Sequence, residues 1–130
     1  MNMSYLEYPF SKGYINITSK DAYAAPDFDA GFLSHPADLP PHIWAYKKNR
    51  EIIRRMASFR GELASSQPLF PAGSAAACHE SLTDVTHPIE YTEEDDRAIE
   101  SLVRNSVETT WHSMYVYHSA HYLISGGHVR

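Results

Sequence analysis

The chain has 130 residues, a length that suits one compact domain or part of a larger one. Apolar residues make up 43% and aromatic ones 12%, enough for a modest core, while 11 basic against 16 acidic residues leave a formal charge of −5. That balance offers no attraction to phosphate backbones or anionic lipid, so neither a nucleic acid nor a membrane is expected as a partner. Cys78 is the single cysteine, which excludes an internal disulfide and a four-cysteine zinc site. It follows three alanines, with no neighbour that would lower its pKa, and reads as a passive thiol. No apolar run is long enough to cross a bilayer, and the start, Met1-Asn2-Met3-Ser4-Tyr5, lacks a signal-peptide pattern. The chain therefore reads as soluble and intracellular.

Residues 5–18 read as extended, with Ile15 and Ile17 alternating with Tyr14, Asn16 and Thr18 at the period of a half-buried strand. From Ser19 to Pro41 the chain is rich in Asp, Pro, Ala and Ser without helical spacing, the composition of a long loop or flap. A helix is predicted from near Asp38, its cap, to about Arg60, with Gly61 as the stop. Ile52, Ile53, Met56 and Phe59 would form its apolar stripe, and Lys47, Lys48, Arg50, Arg54 and Arg55 a solvated face. Residues 64–88, punctuated by Pro68, Pro71, Gly73 and Pro88, read as an irregular linker. A second helix opens at Thr92-Glu93-Glu94-Asp95, a capping-box signature with acids at the positive end of the dipole. Ala98, Ile99, Leu102 and Val103 form its expected buried stripe, and Asn105 a terminator. Val107-Glu108-Thr109-Thr110-Trp111 then reads as extended. The order is that of an α+β unit with few strands of its own.

Eight histidines are many for this length. His35, His42, His79, His87 and His128 stand singly and read as surface or structural groups. His118 and His121 have a spacing that two metal ligands on a helix could use, but lack an evident third ligand, so no metal site is expected. His112 differs in setting, following a capped helix and an extended run and standing beside the indole of Trp111. A histidine held there could move a proton. Composition and spacing leave a hydrogen-bonded structural role equally open.

Tyr8-Pro9-Phe10-Ser11-Lys12-Gly13-Tyr14-Ile15-Asn16-Ile17-Thr18-Ser19 resembles the strand that begins the C-terminal domain of glucose-methanol-choline (GMC) oxidoreductases. Ala25-Pro26-Asp27-Phe28-Asp29, Phe32-Leu33-Ser34-His35-Pro36-Ala37-Asp38-Leu39 and Val107-Glu108-Thr109-Thr110-Trp111-His112-Ser113 resemble that family too, in its order, and most closely its alcohol (methanol) oxidase branch. The resemblance implies an incomplete GMC C-terminal, substrate-binding domain over residues 1–114, two main helices packed on part of a mostly antiparallel sheet. It implies that His112 is the catalytic acid/base, taking the hydroxyl proton of a small primary alcohol while hydride passes to FAD. Trp111 would help wall the substrate pocket, and O2 would reoxidise the flavin to give hydrogen peroxide and an aldehyde. Homo-oligomers and a peroxisomal location are implied in the same way, although Gly127-His128-Val129-Arg130 is not a peroxisomal tripeptide.

Two departures temper what this chain is expected to do. No G-x-G-x-x-G follows a strand, so no FAD-binding residues are expected here and the chain alone is expected to be inactive. Residues 115–130 do not continue the resemblance. Met114-Tyr115-Val116 must be encoded ATG-TAY-GTN, which contains an intron donor signal, so a retained intron or a frameshift would account for the tail. A non-catalytic module that associates with full-length oxidase subunits is the alternative.

Overall fold

A computed structural model describes residues 4–78 and 87–109. Its order is β1 (Tyr14–Asn16), β2 (Asp27–Asp29), a 3-10 turn (Pro36–Asp38), α1 (Leu39–Arg54), a second 3-10 turn (Ala64–Ser66) and α2 (Glu93–Ser106). The α+β class expected from the sequence is observed: two helices and a small antiparallel sheet.

The strand expected over residues 5–18 is reduced to three residues, and they are exposed rather than half-buried. Its partner lies within the segment expected to be a loop. β2 pairs antiparallel with β1, setting Ile15 opposite Phe28. Those two side chains share one face of the ribbon, but remain 54% and 65% exposed. Alternation gives a strand its two faces, while burial needs a second layer to cover one of them. The hairpin closes on two glycines. A Cβ on Gly13 would strike the carbonyls of Asp29 and Ala30, and one on Gly31, whose φ is +61°, would strike the backbone of Lys12.

α1 is shorter than expected and is not capped by Asp38. The Asp38 carboxylate instead accepts the backbone N–H groups of Phe10 (2.8 Å) and Ser11 (2.7 Å), tying the chain before the ribbon to the start of the helix. Pro40 and Pro41 occupy the first turn, where no donor is needed. The helix ends at Arg54, well before Gly61. The Arg55 N–H then reaches back towards Glu51, Ile52 and Ile53, and turns carry the chain to Phe59.

The buried side of α1 is the opposite of the one expected. Ile52, and Met56 just beyond the helix end, are 56% and 50% exposed, whereas Arg50 and Arg54, expected on a solvated face, are buried. Arg50 turns inward because Glu62 meets it there. Phe59, Ala76 and Ile99 are the buried hydrophobic residues among those described. Residues 64–78 are irregular, as expected, apart from the 3-10 turn, and they bring the buried Ala76 against the helices.

α2 forms as its sequence signature indicates. The Thr92 hydroxyl accepts the Asp95 N–H (3.2 Å), and the Asp95 carboxylate accepts the Thr92 N–H (2.8 Å), completing a capping box. Ile99 is fully buried, with Ala98, Leu102 and Val103 half-buried beside it. The two helices pack on each other, with Lys47 of α1 pairing with Asp96 of α2 at 2.5 Å.

Candidate functional site

Trp111 and His112 lie outside the described residues, as do His118 and His121. The structure shows the element that leads to the Trp111-His112 pair. α2 runs to Ser106, and Val107 leaves it in an extended conformation (φ −65°, ψ 130°), its N–H still bonded to the Val103 carbonyl (2.9 Å). The direction in which the chain approaches residue 110 is therefore set by how α2 is seated.

That seating rests on a buried polar network. The Arg50 guanidinium donates through Nε to Glu62 Oε1 (2.6 Å) and through Nη2 to Oε2 (2.7 Å), a two-pronged match to the carboxylate. Its remaining donors reach the carbonyls of Ala76 (2.8 Å) and Ala77 (3.2 Å), and its central carbon lies 5.2 Å from the centre of the Phe70 ring. One side chain thus fixes the 62, 70 and 76–77 segments on α1. Ser74, from the same segment, donates its hydroxyl to Asp95 Oδ1 (2.6 Å) and so passes the constraint to the first turn of α2.

The electrostatics of the network are those of a holding device. Burial disfavours a charged Arg50, but the Glu62 hydrogen bond and the neighbouring phenols outweigh it, so the guanidinium stays protonated. Burial also raises the pKa of Tyr46 and of Tyr91 despite the nearby guanidinium. Tyr46 donates to Gln67, and Tyr91 lies beneath the Lys47 ammonium (4.9 Å). Neither phenol is a base near neutral pH.

The other singled-out side chains have structural settings. His35 Nδ1 accepts the Ala37 N–H (3.2 Å), the His35 backbone N–H donates to Ser11 Oγ (2.9 Å), and the imidazole ring lies against Phe10 (5.2 Å). His42 is half-buried, and desolvation lowers its pKa against the pull of Asp38. Cys78 is a half-buried thiol. Among the described residues no group of three or more His, Cys, Asp or Glu side chains could hold a metal ion. No helix is long and apolar enough to cross a membrane. A shallow groove of about 210 Å³ lies between Trp44, Lys48, Glu51, Pro88, Ile89 and Tyr91.

Sequence reasoning missed the Arg50–Glu62–Asp95 network. A signal for half of it was available, because Ile43, Tyr46, Arg50 and Arg54 recur at helical spacing and so share a face. Nothing in the sequence pointed to Glu62.

Residues 9–114 match the GMC oxidoreductase family. Over 85% of its length the chain is similar to alcohol oxidase 1 of Komagataella phaffii (44% identical) and to the alcohol oxidases of Pichia angusta (41%) and Candida boidinii (34%). It spans 23% of each of these relatives. Two of the segments whose wording resembles the family, 8–19 and 32–39, are the ones that Asp38, Ser11 and His35 bind together. This chain belongs to the GMC oxidoreductase family.

Proposed function

We propose that the chain supplies the substrate side of an FAD-dependent alcohol oxidase, which in its complete form converts a primary alcohol and O2 to an aldehyde and hydrogen peroxide. The observation that carries this reading is the family match over residues 9–114, which takes in Trp111-His112. His112 takes the hydroxyl proton of the alcohol, and Trp111 walls the pocket beside it. Positioning of this kind contributes roughly 10²- to 10⁴-fold in rate.

The described residues do not fit FAD. The groove beside Trp44 is smaller than the roughly 300–1,000 Å³ of ordinary ligand pockets. Gly13 and Gly31 use their missing Cβ atoms to let hairpin backbones approach, not to admit a phosphate. On this reading FAD is held by other parts of the complete enzyme, and this chain does not turn over by itself. Residues 115–130 form a tail outside the family domain. A peroxisomal location follows from the same reading.

The test is a chimera in which residues 9–114 replace the matching stretch of the Komagataella phaffii alcohol oxidase 1. A yellow, flavin-loaded chimera should release peroxide from a primary alcohol, and His112→Ala should lower its rate about 10²- to 10⁴-fold while the colour stays. An equally yellow His112→Ala chimera of unchanged rate would remove His112 from the chemistry. The isolated chain binding FAD stoichiometrically and oxidising methanol would overturn the division of labour.

A second reading is favoured by the exposed apolar surface, where Tyr8, Phe10, Ile17 and Phe28 are each at least 63% accessible. Such a surface suits a non-catalytic module that docks on full-length oxidase subunits. Co-purification of the tagged chain with full-length oxidase would support it.

A further inference from the structure

Arg50 and Asp95 belong to one unbroken relay of hydrogen bonds. Glu62 grips the Arg50 guanidinium, and Arg50 Nη1 donates to the Ala76 carbonyl (2.8 Å). The Ala76 N–H donates to Ser74 Oγ (2.9 Å), and the Ser74 hydroxyl donates to Asp95 Oδ1 (2.6 Å). Nη1 also stands 3.4 Å from the hydroxyl of Tyr91, the residue just ahead of the Thr92 cap. Both ends are sealed from water, with Glu62 7% and Asp95 0% accessible. The relay joins α1 to the first turn of α2 at one place and in one orientation.

α2 does not need this relay in order to form. Its capping box is closed by Thr92 and Asp95 alone, Ile99 is fully buried, and Lys47 pairs with Asp96. Nor is a buried ion pair an efficient source of stability, because apolar residues of similar volume often do as well. What two-pronged hydrogen bonds add over apolar packing is a fixed direction. Direction matters at the far end of the helix. α2 has 14 residues and is about 21 Å long, so a tilt of about 3° at Asp95 moves the exit at Val107 by about 1 Å. A misplacement of about that size, carried to the reacting groups, is enough to cost about 100-fold in rate. Val107 stays bonded to the Val103 carbonyl and leads, five residues on, to His112.

We propose that Arg50 is a positioning residue for proton transfer: held by Glu62, it sets the tilt of α2 through Ala76, Ser74 and Asp95, and so aims the segment that carries Trp111 and His112. This rests on the role proposed for His112 and adds the residues that hold it in register.

Non-additivity in the flavin-loaded chimera carrying residues 9–114 is the test. Arg50→Met together with Glu62→Leu removes the clasp without stranding a buried charge. The pair should lower kcat about 10- to 100-fold at unchanged flavin content, with KM within about twofold. In a His112→Ala background the same pair should change the rate less than about twofold, since nothing is left to aim. Ser74→Ala breaks the relay beyond the clasp and spares the cap. It should repeat the pattern at smaller amplitude, and it decides the matter if the double variant does not load flavin. An unchanged kcat, or an equal fall with and without His112, would overturn the positioning role while leaving the effect of His112→Ala intact. A chimera whose rate His112→Ala leaves unaltered would remove His112 from the chemistry, and the positioning role with it.

Discussion

Arg50 and Glu62 meet through two parallel hydrogen bonds of 2.6 and 2.7 Å, with only 3% of either side chain accessible. Removing one partner strands a buried charge, a loss of about 3–5 kcal/mol, whereas replacing both with apolar groups of similar volume is often neutral. Glu62→Leu and Arg50→Met should therefore each destabilise the chain by that order in urea denaturation. The double variant should recover much of the loss from the pair, less the part due to the Ala76 and Ala77 carbonyls. Additive single effects would show that the two side chains act independently.

Asp38 and Asp95 are held below the ordinary carboxyl value of 3.8. Burial pulls each upward, but hydrogen bonds from Ser11 and Phe10 to the first, and from Ser74 and Thr92 to the second, outweigh it. A depressed carboxyl pKa contributes stability that is fully present above the unfolded value and is lost as pH falls through the folded one. His42, lowered from 6.5 by desolvation, contributes in the same direction at higher pH. Unfolding free energy measured against pH should hence decline gently once pH drops below about 6.5 and steeply below about 4. Asp38→Asn should lower stability at pH 7 and flatten the acid limb, while His42→Asn should flatten only the upper part.

The fold was legible where a signal is local. The cap of α2 needs only Thr92 and Asp95, three residues apart, and the sequence shows both. The end of α1 was not legible. Its Ile52 and Met56 look like core in a helical count, but whether a stripe is covered depends on what else packs there, and here the charged row at Arg50 and Arg54 took the inside instead. β2 was hidden for a related reason. Asp27 and Asp29 are poor strand residues, and the pairing is imposed by the glycines that bring the two segments together. Of the site, Trp111 and His112 were recognised by the wording around them, whereas the Arg50–Glu62 clasp joins residues whose pairing no spacing rule specifies.

Gly31 combines a φ of +61° with a backbone that leaves no room for a side chain. Gly31→Ala should cost more than about 1 kcal/mol, since the added methyl meets both conformational strain and the Lys12 carbonyl. Gly73→Ala, at a φ of +82° but with open space around it, should cost less. Thermal melts of the two variants compare the penalties directly, and equal shifts would mean that the hairpin contact carries no weight.

Asp95 serves two partners that can be separated by substitution. One oxygen accepts the Ser74 hydroxyl at 2.6 Å, and the other accepts the Thr92 N–H and hydroxyl at 2.8 and 2.9 Å. Ser74→Ala removes the tether to the 74–77 segment and leaves the cap, while Thr92→Ala weakens the cap and leaves the tether. Each should cost about 1 kcal/mol, and Asp95→Ala, which abandons several buried donors at once, should cost more than either. Hydrogen exchange separates the two functions. Thr92→Ala should speed exchange in the first turn of α2, over Glu93–Asp96, whereas Ser74→Ala should speed it at Ala76 and Ala77. The Ala76 N–H is bonded to Ser74 Oγ (2.9 Å) and the Ala77 N–H to the Ser74 carbonyl (3.0 Å). If both variants loosened both regions alike, Asp95 would be joining them into one cooperative unit, and the seating of α2 would be inseparable from its cap.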